Sequence, residues 1–227
     1  MERNSRKRIG VVLCGAGHRD GSEIQESVLT MLCLLEEGAD IQCLSLNKPQ
    51  ANVMDHLSGA KLGEKRNMMT ESARIARGKI QDIASKPADE WAKILDGVVL
   101  PGGFGAALNL CTYAERGVDM TVDEHLTKLL KSMYVAKKPI GAVCIAPVIL
   151  AKVFGEYHPK ITIGRDSETA EKIQKMGATH VICGTNDSVV DETHRLITTP
   201  AYMLAEEMSE FHPGIRKLAQ HVIRLTK

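Results

Sequence analysis

Aromatic side chains are scarce in this chain: three Phe, four Tyr and one Trp among 227 residues. That leaves little surface on which nucleic-acid bases could stack. Neither sign of charge is in excess. Twenty-nine Lys and Arg against 28 Asp and Glu give a formal charge of +1, so there is no electrostatic case for nucleic acid or an anionic membrane. No apolar run approaches the ~20 residues of a membrane span. The six cysteines (positions 14, 33, 43, 111, 144 and 183) are widely separated, with no CxxC pair and no Cys/His set at zinc spacing. A disulfide scaffold and a metal site are therefore both unexpected. The opening Met1-Glu-Arg-Asn-Ser-Arg-Lys-Arg8 is basic, but it is short for a transit peptide and has no apolar region of a signal peptide. These absences together predict a reduced, cytoplasmic protein.

What is present is a large apolar complement. Hydrophobic residues make up 44% of the chain, enough for a sizeable core and incompatible with a disordered or collagen-like class. The length suits one α/β domain. Ile9 to Cys14 reads as a buried strand, followed by a glycine-rich turn. Ser22-Glu-Ile-Gln25 has the form of a capping box, and apolar residues from Ile24 to Leu35 keep helical spacing up to Gly38. Ile41 to Leu46 is a second strand. A strand-helix-strand unit of this kind implies a parallel sheet.

Further strands are expected at Asp96–Leu100, Pro139–Cys144, Lys160–Ile163 and His180–Cys183, with a hairpin of Val189-Val190 and Leu196–Thr198. Helices are expected at Asn67–Arg77, Val122–Ala136, Pro147–Phe154 and Ser167–Met176, and as two stretches near Ala201–Phe211 and Ile215–Leu225. Residues 47–90 are otherwise irregular and read as an embellishment on a single domain spanning 1–227.

Ligands of an open parallel sheet bind at the carboxyl ends of its strands. Three turns belong there: after Cys14, after Leu100 and at Cys144. Gly15-Ala-Gly17 lacks the third glycine of a dinucleotide fingerprint, since Asp20 stands in its place. Gly102 and Gly103 can turn backbone N–H groups inward, where they would hold an oxyanion or simply make a turn. Cys144 ends a strand and precedes an apolar run, a placement that suits either a buried core residue or an exposed nucleophile beside a helix N-terminus. Glu23 and Glu26, three apart at the start of the first helix, can look the same way. They would be surface dipole partners, or a carboxylate exchanging a proton with a nearby thiol. No histidine adjoins Cys144 in sequence. Arg66, Arg74 and Arg77 would bind a small anion if their segment crossed the site, or pair locally with residues such as Glu71.

Val98-Val-Leu-Pro-Gly-Gly-Phe-Gly-Ala-Ala-Leu-Asn-Leu110 and Ala142-Val-Cys-Ile-Ala-Pro147 resemble the two diagnostic segments of the DJ-1/PfpI superfamily. Asp20-Gly-Ser-Glu-Ile24, Arg66-Asn67, Glu71 to Ile80 and Thr198-Thr-Pro-Ala-Tyr202 resemble one branch of it, the ES1 or ElbB-like proteins, also called enhancing lycopene biosynthesis or isoprenoid biosynthesis proteins. The likeness runs from about Arg8 to the C-terminus. It implies a class I glutamine amidotransferase-like fold: an α/β three-layer sandwich on a mostly parallel, flavodoxin-like sheet. It further implies a nucleophilic Cys144 on an elbow, a glutamate partner on the first helix, and an oxyanion position at Gly103 with the Ile145 N–H. Counting back from Gly38 favours Glu26 over Glu23 as that partner.

The chain departs from the wider superfamily at Ile145, where protease-like members carry histidine, at Gly164, and at Ala142 and Ala146 in place of elbow glycines. Ile197-Thr-Thr-Pro200 offers no His-Pro-Glu. Amide hydrolysis and proteolysis thus lack their base. The resemblance implies instead a cofactor-free, metal-free glyoxalase acting on glyoxal or a related small aldehyde through Cys144 and Glu26. The alternatives are a redox sensor in which Cys144 is reversibly oxidised, or an accessory protein of isoprenoid biosynthesis. A homodimer is expected from the superfamily habit.

Overall fold

The computed structural model describes residues 6–226; the first five residues of the basic N-terminal stretch lie outside the described residues. The strands are β1 (Arg8–Val12), β2 (Asp40–Ser45), β3 (Ile80–Asp82), β4 (Gly97–Leu100), β5 (Ile140–Val143), β6 (Lys160–Ile161), β7 (Thr179–His180), β8 (Val189–Asp191) and β9 (Leu196–Thr199). The helices are α1 (Ile24–Glu36), α2 (Met68–Ile75), α3 (Ala88–Ile94), α4 (Phe104–Leu108), α5 (Tyr113–Arg116), α6 (Glu124–Val135), α7 (Pro147–Phe154), α8 (Ser167–Lys175) and α9 (Met208–Leu225). Seven strands form one sheet in the order β3-β2-β1-β4-β5-β9-β8, parallel throughout except for β8 against β9.

Both faces of this sheet are covered, which is why its central strands are apolar without alternation. On one face Val11, Val99, Val143 and Ile197 pack under α1 and α9, against Leu34, Phe211 and Leu218. On the other, Val12, Val98, Leu100 and Ala142 pack under α3, α6 and α7, against Trp91, Leu129 and Ile149. The result is the expected α/β three-layer sandwich. The chain goes outward from β1 to β2 and β3, then crosses to β4 on β1's other side. The strand order reverses between β1 and β4, and the carboxyl ends of β1, β4 and β5 meet beside that point.

Four expectations are corrected by the structure. Ser22 is not the cap of α1: Glu23 is, its carboxylate accepting from the Glu26 N–H at 2.6 Å. Ser22 turns inward, where its Oγ accepts from the Cys14 N–H at 2.8 Å. Within 47–90, residues 80–82 form β3, which pairs in register with β2 as the edge strand of the sheet, so the end of this stretch is part of the sandwich. A three-residue edge strand is too short to show a period. The stretches expected as strands at 160–163 and 180–183 are only two residues long each and form a separate parallel pair.

The C-terminal region holds one long helix, not two. α9 runs straight through Pro213, with Phe211, Ile215, Leu218 and Val222 buried along one stripe. The proline lies in the helix's second turn, where one missing N–H is outweighed by that buried face. Before it, Ala201–Met203 is a single 3-10 turn.

Gly155, just past α7, packs against the loop after α8. A Cβ there would stand 1.8 Å from the Met176 carbonyl oxygen, a backbone atom. Gly155→Ala should therefore cost about 1–3 kcal/mol and lower Tm by roughly 2–10 °C in thermal unfolding. An unchanged Tm would show that the α7–α8 packing relaxes freely.

Candidate active site

β5 ends at Val143, α7 begins at Pro147, and Cys144 lies on the tight turn between them with φ of +61°. A left-handed conformation at a residue with a Cβ costs of order 1–3 kcal/mol and persists only where its surroundings enforce it. Here they do. The Cys144 N–H donates to the Thr199 carbonyl of β9 at 2.9 Å, and the Ala146 N–H closes the turn onto Val143 at 3.0 Å. Small residues at Gly141, Ala142 and Ala146 let the turn sit tightly, and Pro147 supplies a helix start without a wasted N–H.

Glu26 lies in the first turn of α1 and is completely buried. Its Oε2 accepts from the Gly102 N–H at 3.0 Å and its Oε1 from the Tyr202 N–H at 3.2 Å. It lies close enough to the Cys144 thiol for each group to act on the other's pKa. Gly102 lies between them: a Cβ on it would be 2.3 Å from Cys144 Cβ and 2.6 Å from Glu26 Oε2. Gly103, at φ of +97°, lies equally close to the start of α1, where a Cβ would be 2.4 Å from the Glu23 nitrogen. The two glycines let the β4–α4 turn press into the angle between α1 and the elbow.

The structure thus brings Cys144, Glu26, Gly102, Gly103 and Ile145 together, with divided roles. The backbone N–H groups of Gly103 and Ile145 lie near the Cys144 sulfur and favour its charged form. The Gly102 N–H is engaged by Glu26 and does not face the cavity. Glu23 stands one turn away as the helix cap, half-buried, and its negative charge acts on Glu26 through space.

Burial, and then the Glu23 charge, push the Glu26 carboxyl up to about 8, against the opposing pull of Tyr202, Cys144 and Gly102. Burial and the nearby Glu26 charge push the Cys144 thiol up as well, opposed by the Gly103 and Ile145 N–H groups. Position next to a helix start therefore does not by itself make a thiolate here; desolvation wins. Both groups are thereby pushed toward their protonated forms.

Above the pair opens a cavity of about 970 Å³ lined in part by Ile145, Phe104, Tyr113, Tyr202 and Lys172. His18 is the histidine on its wall, and burial together with the neighbouring His56 lowers its pKa. Arg66 and Arg74 pair with the buried Glu71, at 3.6 and 2.9 Å, and do not line the cavity. Local pairing is their role. Two residues with site-building roles carried no such assignment in the sequence. Tyr202 orients Glu26 through its backbone, a role no side-chain pattern reveals. Asn109 donates from Nδ2 to the Cys14 and Asp20 carbonyls, both at 2.8 Å, tying the β1–α1 turn to α4.

Comparison with known proteins agrees with this architecture. No family model matches the chain. The mitochondrial ES1 protein homolog of Rattus norvegicus is 39% identical over 231 residues, 97% of this chain and 85% of that protein. The chain belongs to the ES1 family. The human mitochondrial glutamine amidotransferase-like class 1 domain-containing protein 3 is 40% identical, covering 96% of this chain and 83% of its own. Among solved structures, an Ehrlichia chaffeensis isoprenoid biosynthesis protein with an amidotransferase-like domain superposes with TM-score 0.89 at 37% identity, over 97% of this chain and all of that one. Schizosaccharomyces pombe DJ-1, at 16% identity and TM-score 0.58 over 96% of this chain and 90% of its own, shares the fold. The cytoplasmic expectation is overturned: the rat, human and zebrafish ES1-family relatives all bear mitochondrial names.

The buried carboxyl of this ES1-family protein has a signature in stability. With its folded pKa raised to about 8 from an ordinary 4.5, Glu26 binds a proton in the folded state that the unfolded chain releases between those values. Its contribution is fully present below 4.5 and is lost as pH rises through 8. Glu26→Gln removes that dependence, so the variant should gain Tm relative to the wild type as pH rises from 5 to 8. Differential scanning calorimetry across that range checks it; a constant gap would mean Glu26 titrates as a solvated carboxyl.

Proposed function

We propose that this protein is a cofactor-free glyoxalase in which Cys144 is the nucleophile and Glu26 the proton shuttle. The observation that carries this reading is a fully buried carboxyl, pushed up by burial to about 8, packed with a thiol on a strained elbow around Gly102. A carboxyl with a pKa near the working pH can both take and give a proton.

In the first step the carboxylate form of Glu26 takes the thiol proton while sulfur adds to one aldehyde carbon of glyoxal. The product is a hemithioacetal, whose oxygen the Gly103 and Ile145 N–H groups beside the sulfur would hold. Next Glu26 moves the proton from that carbon to the neighbouring one, converting the hemithioacetal to the thioester of glycolate. Water then hydrolyses the thioester, releasing glycolate and regenerating the thiol. Glyoxal plus water gives glycolic acid, with no external oxidant or reductant.

Cys144→Ser should reduce glycolate formation to background, and Glu26→Gln should lower kcat/KM by ~10²–10⁴-fold, the usual worth of a general acid–base. In the wild type kcat/KM should rise with pH through about 8, as Glu26 ionises. Initial rates from pH 6 to 9 with glycolate detected directly would decide the matter; full activity in Cys144→Ser would sink the mechanism. The redox alternative is less well supported, because burial disfavours the thiolate that peroxide attacks. The isoprenoid description of the Ehrlichia protein names a pathway context and no reaction, so it is compatible with the same chemistry.

The protein is proposed to act as a homodimer. Ile24, Val28, Leu32 and Leu35 form an apolar stripe along α1, each between 44% and 52% exposed, on the helix that carries Glu26. With a net charge of only +1, little repulsion opposes two copies meeting, and one stripe facing itself across a two-fold axis is the simplest cover. Leu32→Glu should convert a dimer of twice 24.8 kDa to monomer in light scattering; a monomeric wild type would refute the assignment.

A further inference from the structure

The cavity over Cys144 is far larger than glyoxal, a molecule of four heavy atoms. At about 970 Å³ it falls at the upper end of the range for ligand pockets. The polar groups on its walls are largely engaged with one another. Lys172 Nζ pairs with Glu168 Oε1 at 2.6 Å, the Glu23 carboxylate caps the Glu26 N–H, and the Tyr202 hydroxyl donates to Gln25 Oε1. Burial and the neighbouring His56 disfavour the charged form of His18.

What the walls leave free is apolar. Phe104 stands at the start of α4, directly after Gly103, with 59% of its surface exposed. Tyr113, Ala107, Ile145 and Met203 complete an apolar surface next to the sulfur. An aromatic ring held open beside a nucleophile gains most by covering an apolar part of the ligand.

We infer that the substrate of this site is a 2-oxoaldehyde carrying an apolar substituent of about the size of a phenyl or branched alkyl group, and that Phe104 and Tyr113 bind that substituent. The inference rests on the glyoxalase reading for its reaction, while the size and apolarity of the ligand rest on the cavity alone. The chemistry balances as for glyoxal. The thiol adds to the aldehyde carbon, Glu26 carries the proton from that carbon to the former keto carbon, and hydrolysis of the thioester gives the 2-hydroxy acid.

The test uses the wild-type protein and two pairs of compounds: phenylglyoxal against glyoxal as substrates, and their products mandelate against glycolate as reversible ligands. Mandelate should bind at least ~10-fold more tightly than glycolate by calorimetry, and phenylglyoxal should show at least ~10-fold higher kcat/KM, as expected from covering a ring. Phe104→Ala and Tyr113→Ala should each shrink the mandelate advantage. Glycolate binding as tightly as mandelate, or glyoxal turned over as well as phenylglyoxal, overturns the inference. Preferential mandelate binding with turnover of neither aldehyde supports the ligand class and overturns the glyoxalase reading instead.

Discussion

Gly102 stands where three structural elements meet, and its lack of a side chain is what lets them meet. The end of β4 brings it between the elbow after β5 and the first turn of α1, at separations that leave no room for a Cβ beside Cys144 or Glu26. Its N–H then donates to the Glu26 carboxyl, and its carbonyl accepts from the Glu23 N–H at 3.0 Å. One residue thereby fixes the position of α1 relative to the sheet and supplies a partner for the buried acid. The N–H of the next residue, Gly103, lies near the sulfur and favours its charged form. The parallel topology makes this possible, because reversal of the strand order between β1 and β4 opens a crevice where both turns can enter it.

Burying Glu26 in such a place is unfavourable unless its oxygens are hydrogen-bonded. Two backbone N–H groups bond to them, yet desolvation still dominates, and the carboxyl is pushed up to about 8. The same burial favours the protonated thiol. Burial therefore biases the pair towards its uncharged form, and ionisation calls for a trigger. A substrate carbonyl that accepts the developing charge within reach of the Gly103 and Ile145 N–H groups provides such a trigger. The strain at Cys144 serves the same end, since φ of +61° aims the sulfur at the cavity while Thr199 holds the backbone from behind.

Much of this was legible in the sequence, where the signal was local and strong. The apolar runs of β1, β4 and β5 gave away the buried parallel sheet, Pro147 and the apolar run after it gave α7, and Pro101-Gly-Gly103 marked a close approach. The family resemblance singled out Glu26, which periodicity alone could not separate from Glu23. Three things were hidden for physical reasons. β3 is too short to carry a period. The apolar spacing of α1 located the helix but not its buried face, because Glu26, Ser27 and Thr30 turn inward while Ile24, Val28 and Leu32 remain exposed. Tyr202 acts through its backbone, in a 3-10 turn whose position depends on β9 and α9 rather than on its own neighbours.

The proposed aldehyde chemistry suits a thiol–carboxyl pair better than amide cleavage does, because of where the protons must go. Releasing an amine from a tetrahedral adduct requires an acid aimed at the leaving nitrogen, usually an imidazole beside the sulfur. Here Ile145 follows Cys144, and the cavity's histidine, His18, lies on the β1–α1 turn with its pKa lowered by burial and by His56. An aldehyde adduct has no leaving group to protonate. It needs a proton moved between adjacent carbons, and a carboxyl lying against the sulfur and raised to about 8 is within a short reach of both. The replacement of histidine by isoleucine after the nucleophile therefore removes one chemistry and, by adding apolar surface to the cavity wall, favours the other.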